Sequence, residues 1–333
     1  SVQNTLFENN SSDDTTSFNL GAAIQQTTIN MQPTYANLTF SSNKRNQVVI
    51  PVGVLNQDVT LGGAPTGFTC GSNYCPITVA DTHTLTIQPG AQLDMTLGYP
   101  IFYLVQAGGT LNAEGTEAQP ITMVMGRIDF EFGSNGTISH CDISGHPGTV
   151  MQGLNISADG IHVSDTVIHD HTAEGVKVLA GASKSIDVTF TNVDIINNAY
   201  EGIYLSTTIG GVVNFSMDGG TISGNGRSGL KVVTSNGAIN PTLKNLLIDA
   251  NGTNPSNESD KRGLQIDTPY ASPTLENLTI TNHPGKAIYW RCDGSISAKN
   301  ITASGNALGD ELQIPGCAVT AGREWDLADA GIP

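Results

Sequence analysis

The sequence predicts an all-β, right-handed parallel β-helix of about ten or more coils, each built from three short strands. Three observations carry that prediction. A heptapeptide recurs at nearly constant spacing, a Gly-initiated strand motif follows it, and the composition exchanges charge for Gly, Asn, Thr and Ser.

The heptapeptide reads polar, apolar, any, apolar or small, two variable positions, then Asn or His. Its copies are Asn4–Asn10, Asn37–Asn43, His140–His146, Asp165–His171, Asn192–Asn198, Gly219–Asn225, Asn245–Asn251, Asn277–His283 and Asn300–Asn306. From the third copy onward they are separated by 25, 27, 27, 26, 32 and 23 residues, which is a solenoid period.

A second strand follows each copy: Gly175–Val178, Gly202–Leu205, Gly229–Val232, Gly263–Ile266 and a degenerate Ala287–Trp290. Side chains alternate along a strand, so Val176, Ile203, Leu230, Leu264 and Ile288 are expected to point inward as one column. A third strand fills the coil at Ile161–Val163, Ile186–Val188 and Val213–Phe215. Three strands in about 25 residues leave no room for a crossover helix, so each strand must pair with its equivalent one coil away.

The last heptapeptide position is Asn at residues 198, 225, 251 and 306. Asn tolerates left-handed backbone, and its amide can bond the same amide in the next coil. The polar insertion Asn251–Arg262 is expected to project from a corner. One β-helix is expected over residues 1–333. Residues 1–76 read as irregular or capping coils with a disulfide loop, 77–128 as less regular coils, 129–310 as regular coils and 311–333 as a tail.

Charged residues make up 13% of the chain, which favours short strands and turns over solvated helices. A net charge of −16 and a pI near 4.6 argue against nucleic acid or an anionic membrane surface as partner. No apolar run is long enough to insert into a membrane as a helix. Five cysteines are present. Cys70–Cys75 and Cys292–Cys317 are expected as disulfides, which implies an oxidising, extracellular or cell-surface setting. Cys141 is left over as a buried thiol.

The opening motifs Thr84–Gly90, Gly109–Ala113 and Pro120–Met123 resemble the first coils of large bacterial surface β-helix proteins. With the repeat over residues 130–310, the chain resembles the pectate-lyase-like right-handed β-helix superfamily. That resemblance implies the fold, and a polysaccharide lyase or glycoside hydrolase as one functional alternative. The superfamily's enzyme signatures do not occur in order. Asp13-Asp14 is isolated, Gly145-His146 is followed by Pro147, and there is neither a DPHD nor an RxPxxR sequence.

Stacking turns sequence columns into surface stripes. The outward column reads Lys177, Tyr204, Lys231, Gln265 and Tyr289, and beside it stand Glu174, Glu201, Ser228, Arg262 and Lys286. The tyrosines and lysines are glycan-binding candidates. By resemblance to the lyases, Lys177, Lys231 or Arg262 would abstract the proton next to a uronate carboxyl, with Glu174 and Glu201 as calcium ligands. A structural reading gives the same side chains a simpler role, as long solvated chains covering coil edges. Glu174 and Glu201 stack in the same direction, which suits an ion or a structural role better than a pair flanking a glycosidic bond.

His146 and His171 share a column one coil apart and are transition-metal candidates, although His283 in that column favours simple replacement of Asn. Ten N-x-S/T sequons begin at Asn9, Asn10, Asn37, Asn135, Asn155, Asn214, Asn251, Asn257, Asn277 and Asn300. The ladder alone would generate many of these. Ser1–Asn10 already reads as a coil and Glu324–Pro333 as the approach to another strand, so self-association through solenoid ends is an expected mode of partnership. The function expected is a secreted or cell-surface structural or adhesive module contacting extracellular glycan, within a larger array or filament.

Overall fold

The computed structural model describes the chain apart from residues 1, 10–21, 32, 34, 37, 44, 65–66, 71–75, 95–101, 107, 125–126, 146–149, 235, 255–260, 292–293, 316–323, 328 and 332–333. The described residues contain strands and turns but no helix, and the named strands pair in parallel. Two compact units emerge, Ser1–Thr149 and Val150–Pro333. Each is a parallel β-solenoid.

In the first unit three strands per coil stack into three ladders. Gly53–Leu55, Ile77–Val79, Phe102–Val105 and Arg127–Phe130 form one. Val59–Leu61, Thr84–Ile87, Thr110–Glu114 and Asn135–Ser139 form the next. Phe68–Cys70, Gln92–Asp94, Ile121–Val124 and Cys141–Ser144 form the third. The first two heptapeptides pair in their own register, Leu6 with Thr39 and Phe7 with Phe40, and the two Phe rings meet edge to face at 5.6 Å.

In the second unit one ladder runs Leu154–Ile156, Val176–Ala180, Ile203–Thr207, Leu230–Thr234, Leu264–Ile266, Lys286–Trp290 and Gly309–Gln313. The expected inward column is observed: Val176, Ile203, Leu230, Leu264 and Ile288 are fully buried and in register. A second inward column stacks Ile168, Ile195, Ile222, Ile248 and Ile280, the fourth heptapeptide position. Burying each such side chain contributes roughly 1.5–3 kcal/mol.

One register departs from expectation. Ile161 pairs with Val188, two residues beyond Ile186, because the third strand and the heptapeptide fuse into continuous strands, Ile161–His169 and Ser185–Ile196. Alternation breaks once within each fused strand, at the left-handed Asp165 and Asn192, and resumes with Thr166 and Ile168 or Val193 and Ile195 pointing inward.

The two properties assigned to the last heptapeptide position are divided among three positions. Left-handed backbone occurs at the first, in Asp165, Asn192, Asn245, Asn277 and Asn300, and at the sixth, in Asp170, Asn197, Ala250 and Asn282. The last position carries a buried ladder instead. The Asn198 amide donates to Asn225 Oδ1 at 3.0 Å and to Ile168 O at 3.3 Å. Asn225 donates to Asn251 Oδ1 at 2.8 Å and to Ile195 O at 3.0 Å. His171, His283 and Asn306 extend the column.

This ladder explains the Gly column. A Cβ on Gly202 would lie 2.7 Å from Gly229 O, 2.7 Å from Ile222 Cγ2 and 2.8 Å from Asn225 Nδ2. Gly175, Gly229 and Gly263 face the equivalent atoms of their next coils. Only the residue without a Cβ allows amide column and isoleucine column to close together.

Candidate functional site

The outward stripe of the second unit is set by strand register. Asn155, Lys177, Tyr204, Lys231, Gln265, Tyr289 and Gln313 occupy one column, at the roughly 4.8 Å spacing of neighbouring strands. The five candidates read from the sequence thus lie on one face. Their chemistry is decided by the adjacent column.

Glu201 is 1% exposed, a buried carboxylate. Lys231 Nζ donates to its Oε1 at 3.2 Å, and Arg227 approaches Oε2 at 3.6 Å. Arg227 in turn lies 3.9 Å over the Tyr200 ring. A charge removed from water needs such partners, and here two cations supply them. Arg227 and Tyr200 were missed by sequence reasoning, although they immediately precede Ser228 and Glu201 and one further step back in register reaches both.

The next rungs are also internally paired. Ser228 donates to Gln265 Oε1 at 3.2 Å, and Gln265 is itself buried despite its outward position. The Arg262 guanidinium lies 4.1 Å from the Tyr289 centroid, and Lys286 bonds the Glu311 carboxylate. Gln152 donates to Glu174 at 3.1 Å. Lys177 sits 6.0 Å from the centre of the Tyr204 ring. Burial pushes the Tyr204 hydroxyl above its ordinary pKa, with Lys231 opposing and Glu201 and Glu174 adding to the rise.

These contacts bear on each candidate role. A calcium ion on Glu201 would have to displace Lys231 and Arg227, and Lys231 would have to leave the same carboxylate before it could reach a substrate proton. Arg262 and Lys177 keep half-exposed positions. His171 is buried within the amide ladder, its backbone N–H donated to Asn198 Oδ1 at 3.0 Å, and His146 lies outside the described residues. Among the described residues no group of three or more His, Cys, Asp or Glu converges on a metal-sized site.

Cys141 is a buried thiol whose pKa burial pushes up to about 12, opposed by a hydrogen bond to Ser139 O at 3.2 Å. A thiol held protonated in this way is a packing group and a poor nucleophile. Cys75, Cys292 and Cys317 lie outside the described residues. Of the sequons, Asn135, Asn214, Asn277 and Asn300 are exposed, whereas Asn251 is fully buried in the ladder.

No protein-family profile matches the sequence. No curated protein matches it either. Among solved structures the chain is similar to the crystal structure of pectate lyase Pel9A, at 14% identity over 74% of this chain and 70% of that one, with a TM-score of 0.39.

Proposed function

We propose that this chain is a non-catalytic, glycan-contacting β-helix module of an extracellular or cell-surface protein. The observation that carries the proposal is the stripe itself. Tyr204 and Tyr289 stand half-exposed in one strand-register column with Lys177 and Lys231, while Gln265 in the same column is buried and takes no part in the surface. Neighbouring charges are largely neutralised within the face, by Glu201 with Lys231 and Arg227 and by Lys286 with Glu311. Such a surface offers aromatic and hydrogen-bonding groups without a strong local field, which suits sugar hydroxyls. With a net charge of −16, long-range repulsion favours neutral over polyanionic chains.

The test is binding to immobilised neutral and uronate polysaccharides, with and without calcium, while monitoring near-ultraviolet absorbance and reducing ends. Binding to a neutral glycan, weakened on Tyr204→Ala and Tyr289→Ala without product formation, supports the proposal. Calcium-dependent release of unsaturated uronate, lost on Lys177→Ala, Lys231→Ala or Arg262→Ala, would replace it with the lyase alternative. New reducing ends without unsaturation would instead indicate a hydrolase.

A further inference from the structure

The chain contains the Asn-Gly dipeptides Asn135–Gly136, Asn225–Gly226, Asn236–Gly237 and Asn251–Gly252. In this dipeptide the glycine nitrogen reaches the asparagine side chain readily, because no Cβ obstructs the approach. The nitrogen gives up its proton and attacks Asn Cγ, the side-chain nitrogen leaves as ammonia, and a succinimide ring forms. Water then opens either ring C–N bond, giving aspartate or isoaspartate. Water is the only co-reactant.

The fold sorts these sites. Asn225 and Asn251 are fully buried, with amides engaged in the ladder. Their attacking nitrogens are occupied as well: Gly226 N–H donates to Asn198 O at 2.7 Å, and Gly252 N–H to Asn225 O at 2.9 Å. Asn135 is exposed but opens the strand Asn135–Ser139, whose extended backbone holds the next nitrogen away from Cγ.

Asn236 differs on each count. It is exposed, in the turn between Leu230–Thr234 and Ala238–Lys244, and among the described residues the Gly237 N–H has no acceptor. Gly237 is also held in place by packing, since a Cβ there would meet Thr207 Oγ1 at 2.3 Å and Gly211 O at 2.6 Å. The turn therefore keeps the glycine that makes its neighbour labile.

We infer that Asn236 is a site of spontaneous deamidation in the folded protein, while Asn225 and Asn251 react only when their coils open. The product places a new carboxylate, or an isoaspartyl kink, on an exposed turn of an already acidic chain. The ladder amides are preserved by the same hydrogen bonds that stabilise the stack.

The test is peptide mapping with isoaspartate detection after incubation at mildly alkaline pH, in buffer and in denaturing urea. In buffer, Asn236 should react at least about tenfold faster than Asn225 or Asn251, because reaction at the ladder is limited to the opened fraction. Urea should bring the three rates together. Asn236→Ser should remove the signal in buffer and leave the urea signals at the other two sites. Reaction of Asn225 or Asn251 as fast as Asn236 in buffer would overturn the inference. So would an Asn236 that reacts in urea and stays intact in the folded protein.

Discussion

The Lys231 ammonium donates to the buried Glu201 carboxylate at 3.2 Å from one coil further along the stack. The pair ties adjacent coils through the outward face. Its removal on one side is asymmetric in consequence. Lys231→Met leaves Glu201 with Arg227 at 3.6 Å as its remaining cation and should cost about 2 kcal/mol or more in chemical denaturation. The double variant Glu201→Gln with Lys231→Met removes the buried charge and should recover most of that loss. A neutral Lys231→Met single variant would show that the carboxylate does not depend on this partner.

Ladder position, and not residue type, should decide what an asparagine contributes. Asn225→Ala removes the acceptor of the Asn198 N–H and the donor to Ile195 O, both buried, and should cost about 3 kcal/mol or more. Asn240 belongs to a more exposed ladder, donating to Asn214 Oδ1 at 2.9 Å where water can substitute. Asn240→Ala should stay within about 0.5 kcal/mol of the parent. Equal losses at the two positions would contradict the distinction.

The repeat made the fold legible because stacking imposes one environment on every copy of a column. Ile203 and Leu230 could be placed inside, and Lys177 and Tyr204 outside, from alternation alone. The site was only partly legible, since alternation gives a side chain's direction but not how neighbours cover it. Gln265 points outward yet is 1% exposed, because the surrounding side chains close over it. The heptapeptide spacing likewise located the Asn column but assigned left-handed backbone to its last position, where the structure puts it at the first and sixth, since Asn suits both roles. Asn192, with φ of 52°, and Asn198, in the buried ladder, show the division.

Glycine positions should separate sharply under substitution. Gly202→Ala places a methyl against two fixed backbone or core atoms and the Asn225 amide, and should cost several kcal/mol by forcing coils apart, on the order of a core overpacking defect. At Gly181 a Cβ would meet only Lys184 Cγ, at 3.8 Å. Gly181→Ala should therefore be neutral or stabilising by about 0.4–1 kcal/mol through reduced freedom of the unfolded chain. Thermal or urea unfolding of the two variants checks the ordering.

His283 should make folding sensitive to mild acid. It takes an Asn position in the buried ladder, where its Nδ1 accepts the Asn251 N–H at 3.0 Å and its Nε2 donates to Ile248 O at 3.1 Å. Both contacts are satisfied by the neutral ring, and burial lowers its pKa, opposed by the carbonyl oxygens of Asn251, 3.2 Å from Nδ1, and Ile248, and by Asp249. A folded pKa below the unfolded value of about 6.5 means that the unfolded chain binds the extra proton first. Its stabilising contribution is complete above that pH and declines below it, at up to about 1.4 kcal/mol per pH unit, until the folded ring also titrates. His283→Asn can place Oδ1 toward the Asn251 N–H and Nδ2 toward Ile248 O, as the other coils do, with no group to protonate. Urea unfolding between about pH 7 and pH 5, above most carboxylate titration, should show a steeper loss for the parent than for this variant. Identical pH slopes would place the acid sensitivity elsewhere.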